Sequence, residues 1–147
     1  IFVVALIFLA ETMTKIRSAS KETLKEIAWD TACAVPNHDP SVERWDPCGA
    51  WIRYADFENH DSDYGWDIDH VLPIARLKFY KVPRMLWNNV LNIRAMHWKN
   101  NLSKSNSYPY YTATVEHCDN INVIIAKGYN VEEALQYQLR TLFKIND

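Results

Sequence analysis

Asp69 and His70 stand side by side in WDIDHVLP, Asn92 follows in LNIRAM, and His97, Asn101 and Lys104 close the run as HWKNNLSK. These types in this order suit hydrolysis of a phosphodiester. That reaction needs an activated water, charge neutralisation on the phosphate and stabilisation of the departing oxygen. A neutral imidazole can take the water's proton, and a divalent ion can supply the other two. His70 suits the base because an unperturbed imidazole is largely neutral at working pH. Asp69 and Asn101 offer hard oxygens of the kind Mg²⁺ accepts alongside several waters. Neighbours on a strand point to opposite faces, so Asp69 and His70 cannot simply chelate one ion together. At a twisted strand end they can flank a phosphate.

These residues need elements to hold them. Residues 64–71 alternate as a strand does, with Trp66, Ile68 and His70 on one face and Asp67 and Asp69 on the other. Residues 48–54 read as a strand forming a hairpin with it. Residues 91–96 read as a short strand and 97–106 as a helix, with Trp98 and Leu102 on its core side and His97, Asn101 and Lys104 on an adjacent face. Residues 74–89 form a long basic-aromatic connection with a helical turn near 85–89. A helix over 20–34, capped by Ser20, precedes all this. A C-terminal helix starts at an Asn130 cap, and residues 111–127 read as strand or helix. The expected fold class is α+β: a small core of strand hairpin plus helix over about 48–106, flanked by an N-terminal helix and a C-terminal helical extension, 111–147.

The 147 residues fit one domain. A net charge of −2 does not point to a nucleic-acid partner, but charge segregated along a chain can become the basic face a polyanion needs, or can simply solvate a surface. Between His70 and Val115 there are seven Lys or Arg and no acid, whereas Glu22 to Asp69 holds twelve acids. Arg76, Lys78, Lys81, Arg84, Lys99 and Lys104, with His97, are candidate nucleic-acid contacts. Cys33, Cys48 and Cys118 are widely spaced and odd in number, which argues against a disulfide framework and for a reducing compartment. The opening run IFVVALIFLA is half the length a membrane-spanning helix needs. Residues 1–12 are read as an apolar leader, with Met13 a candidate start and 13–147 the domain. No membrane association and a cytoplasmic location are expected, with secretion the alternative if residues 1–10 end a signal peptide.

The order Asp-His, Asn, then Asn-x-x-Lys on a helix resembles the HNH endonucleases, whose core is the ββα-metal motif. YGWDIDHVLP and HWKNNLSKSN look like bacterial and phage-type members in particular. The resemblance implies that His70 is the general base, Asn92 helps orient it, and Asp69 and Asn101 bind a divalent metal, Mg²⁺ first and Mn²⁺ next. It implies DNA as substrate, with RNA open. In relatives with a structural zinc a C-x-x-C brackets the helix start; His97 and Asn100 stand there, so no structural zinc is expected. His97 is expected to hydrogen-bond at the helix start or contact phosphate. The connection between His70 and Asn92 is longer than usual and lacks the common Gly-Gly turn. Two other classes stay in view: a non-catalytic nucleic-acid-binding module on this scaffold, and a nuclease toxin.

Overall fold

A computed structural model describes residues 19–146; the apolar leader and Met13 lie outside them. The chain is α+β; the described residues form four α-helices and three two-stranded antiparallel sheets. Helix α1 is Lys21–Thr31, begun by Ser20, whose Oγ accepts from the Thr23 amide. It stops at Ala32, where the backbone turns extended and Cys33 bridges to Trp45. Strands β1 (Glu43–Trp45) and β2 (Trp51–Arg53) pair with each other. The expected hairpin between 48–54 and 64–71 is therefore replaced. β2 turns back on β1 through a tight loop at Gly49, whose φ of 81° is a conformation that favours glycine.

Strand β3 (Trp66–His70) pairs instead with β4 (Ile93–His97), Asp69 opposite Arg94 and His70 opposite Ile93. Helix α2 (Ile74–Phe79) and a 3₁₀ turn at Arg84–Leu86 occupy the connection between them. Helix α3 (Trp98–Lys104) follows β4 without a break. Strands β5 (Tyr110–Cys118) and β6 (Ile121–Asn130) form a long hairpin, and α4 (Glu133–Phe143) closes the described chain. The C-terminal extension thus begins as a sheet. Asn130 ends β6 opposite Tyr110, and Glu132 takes the cap position. Among the described residues no helix is long and apolar enough to cross a membrane.

The β3–β4 sheet has two unlike faces. One carries Trp66, Ile68, His70, Ile93 and Ala95, and α1 covers it: Ala28, Trp29 and Ala32 pack with Ile52, Trp66 and Ala95. The other carries Asp67, Asp69, Arg94 and Met96, and α3 lies beside it. The larger apolar cluster joins α2, β4, the β5–β6 hairpin and α4 through Leu77, Met96, Tyr111, Ala113, Leu139 and Phe143. The buried residues of α3 are not the expected apolar pair. Leu102 is 73% exposed, while Asn100 and Lys104 are fully enclosed. A helix hemmed between a charged strand face and a hairpin edge is held by polar bonds, so its apolar spacing misleads.

Candidate functional site

His70 is the last residue of β3 and opens into a cleft of about 620 Å³ shared with Leu24, Ile68, Arg84, Met85, Trp87 and Asn88. Its Nε2 lies 2.8 Å from the Asn88 amide oxygen, so Nε2 carries the proton and donates. That tautomer leaves the lone pair on Nδ1, which has no hydrogen-bond partner among the described residues. Asn88 was not foreseen, because the long connection gave no sign that its end folds back over the strand.

Asn92 does not touch the His70 ring. Its Oδ1 accepts from the Leu72 amide at 2.8 Å, and its Nδ2 donates to the carbonyls of Leu72 and Trp87 at 3.2 and 3.1 Å. Its backbone carbonyl accepts from the Val71 amide at 2.8 Å. Asn92 therefore fixes the chain leaving His70 and the turn that presents Asn88.

On the opposite face the expected metal residues are set one step out of phase. Asn101 Nδ2 lies 3.4 Å from Asp67 Oδ2, whereas Lys104, one helical turn on, faces Asp69. Asp69 is 4% exposed; its Oδ1 accepts from Lys104 Nζ at 3.0 Å and its Oδ2 from Arg94 Nε at 2.8 Å. Lys104 Nζ also donates to the His70 carbonyl at 2.9 Å. Burial pushes the Lys104 amine down from its ordinary value, and the Asp69 carboxylate opposes that shift. A third cation at Asp69 would meet the two positive charges already in contact with it, so Asp69 in this setting does not fit a metal ligand.

Asp67 does fit. Its carboxylate and the Asn101 amide are hard donors at the surface end of the sheet, and the exposed His60 imidazole lies 2.9 and 3.0 Å from the two Asp67 oxygens. His60 stacks on Trp98, with ring centroids 5.1 Å apart. Asn101 turns its Nδ2 toward Asp67; with its amide rotated by half a turn, one carboxylate and one amide oxygen, with water completing the shell, would suit a hard divalent ion. Among the described residues no group of three or more His, Cys, Asp or Glu gathers as a metal cage. The alternation of β3 could have flagged Asp67, since it shares a face with Asp69; nothing in the sequence pointed to His60.

His97 caps α3. Its Nδ1 accepts from the Lys99 amide at 3.2 Å and its Nε2 donates to the Asp63 carbonyl at 2.9 Å. Burial lowers its pKa. At 1% exposure it is enclosed at the helix start. Beside it, Asp46 ties three segments: Oδ1 accepts from the Cys48 and Ala50 amides, Oδ2 from the His97 amide and Asn100 Nδ2. Asn100 in turn fills a β5 irregularity, its Oδ1 accepting from the Thr114 and Val115 amides, both within 2.9 Å. Hydrogen bonds thus hold together the turn that His97 and Asn100 flank.

The expected nucleic-acid contacts divide. Lys78, Lys81 and Arg84 are exposed, Arg76 and Lys99 half-buried, and Lys104 buried on Asp69. Arg76 donates to the Asn106 carbonyl at 3.2 Å. Arg84 lies in the His70 cleft and Lys81 precedes it on the same connection. Comparisons with protein-family models, with curated proteins and with solved structures give no match.

Proposed function

We propose that this chain is an HNH-type nuclease, a ββα-metal core hydrolysing phosphodiester bonds in DNA with the help of a divalent ion. The observation that carries the reading is His70, the last residue of β3, in a cleft rimmed by Arg84, with Nε2–H held by Asn88 and Nδ1 left unbonded. An imidazole so fixed is ready to accept a proton at Nδ1, and Asn88 would stabilise the imidazolium that forms. Arg84 would neutralise phosphate charge at the same cleft. Asn92 would keep the His70 backbone and Asn88 in register. The ion, Mg²⁺ first, would be held by Asn101 and Asp67 and would neutralise charge on the substrate backbone. Because these residues lie on the far face of β3 from His70, the substrate backbone would pass around the end of that strand. The test is nicking of supercoiled plasmid with and without added Mg²⁺. The reading expects metal-dependent nicking, lost in Asn101→Ala and reduced more by Asp67→Asn than by Asp69→Asn.

A second reading draws on Asp69. With both its oxygens held by buried cations, the scaffold suits a non-catalytic nucleic-acid-binding module. That reading expects DNA binding that weakens steeply with salt, and no turnover with any divalent ion.

A further inference from the structure

Arg94 stands apart from both readings. It is 9% exposed, and although its Nε is committed to Asp69, its Nη2 has no partner within hydrogen-bond geometry among the described residues. A buried guanidinium N–H left unbonded is costly, and native proteins pair nearly all such groups. Arg94 also lines a pocket of about 540 Å³ between β4, the Asp46 turn, the β5–β6 hairpin and α4. The Tyr111 ring backs the guanidinium, its centroid 5.3 Å from the Arg94 central carbon. Asp69, Arg94 and Lys104 form a buried cluster of one carboxylate and two cations, and the buried Asp46 carboxylate lines the same pocket as Arg94.

We infer that this pocket binds a small organic monocarboxylate, its head on Arg94 and its apolar body between β4 and α4. The walls decide the class. Val90, Leu91, Val131 and Leu135 give an apolar body somewhere to lie. Two acids also line the pocket. Asp46 has both oxygens taken by four N–H donors, and Glu132 is exposed. Both acids repel any anion, a phosphate dianion about twice as strongly as a monocarboxylate. A carboxylate also accepts from a guanidinium edge.

The experiment titrates the full chain, methyl-labelled, with n-hexanoate, and follows the Val131 and Leu135 methyl resonances. n-Hexanol and inorganic phosphate serve as controls. The expected result is saturable shifts with hexanoate, at least about tenfold weaker binding of hexanol, and weaker binding of phosphate. Arg94→Met should abolish the hexanoate response; it leaves Asp69 paired with Lys104, so the fold is kept. Leu135→Trp fills the pocket from the opposite wall without touching Arg94 and should abolish it as well, which keeps the test open if Arg94→Met does not fold. The inference is overturned if hexanoate gives no saturable shift, if hexanol binds as well, if phosphate binds more tightly, or if either folded variant binds like the parent.

Discussion

Asp69, Lys104 and Arg94 show how a residue type can be read correctly and its circumstance missed. An Asp beside a His on a strand offers a ligand oxygen, but Lys104, expected at the substrate face, and Arg94 both fold inward onto it. Removing Asp69 would leave two buried positive charges facing each other. Asp69→Ala is expected to cost about 3–5 kcal/mol. Lys104→Met leaves a neutral Asp69–Arg94 pair and is expected to cost less, about 1–2 kcal/mol. Urea unfolding of the two variants checks the order, and equal losses would contradict it. His97 supplies a pH dependence. Burial holds its pKa below the ordinary 6.5, so the unfolded chain takes up the proton first as pH falls. The stability it contributes is complete above 6.5 and is lost as pH drops toward the folded value. Asp46 has the opposite sign: its carboxyl is pushed up by burial, so its share is present below 3.8 and lost as pH rises through the folded value. Stability measured from about pH 7.5 to 5 should fall less steeply in His97→Asn than in the parent. Identical slopes would refute the assignment.

At the scale of elements, β3, β4 and α3 were legible, because alternation in WDIDH and the cap-like start of HWKNN are local signals. Pairing was not. The three-residue β2 carries too little pattern to choose a partner, and its choice of β1 depends on Asp46 accepting from the turn between them. The β5–β6 hairpin did leave a trace. Tyr111, Ala113 and Val115 alternate inward, and Asp119 turns at a φ of 50° in the two-residue Asp119-Asn120 connection. The mixed Val123-Ile-Ile run obscured it. Asn92 is where an element-scale prediction is sharpest. Asn92→Ala removes three side-chain hydrogen bonds that join the segments on either side of α2. It should cost about 2–4 kcal/mol and slow any cleavage about tenfold in the folded variant, without touching the His70 ring. Unchanged stability in urea unfolding would remove Asn92 from this role.

For the whole molecule, segregated charge along the chain is only partly segregated charge in space. The acid-free stretch sends Arg94 and Lys104 into the interior and keeps Lys78, Lys81 and Arg84 outside, so the basic surface is the α2 connection rather than the whole segment. That connection, the least patterned part of the central stretch, forms the wall of the His70 cleft and supplies Asn88. The central claim is that His70 is the base of a phosphodiester hydrolysis. The measurement that tests it most directly is the rate of Mg²⁺-dependent plasmid nicking by the parent and by His70→Ala, each shown by circular dichroism to be folded. A fall of about 10²–10⁴-fold in the variant is predicted. Equal nicking by the two proteins, or none by the parent with any divalent ion, would contradict it.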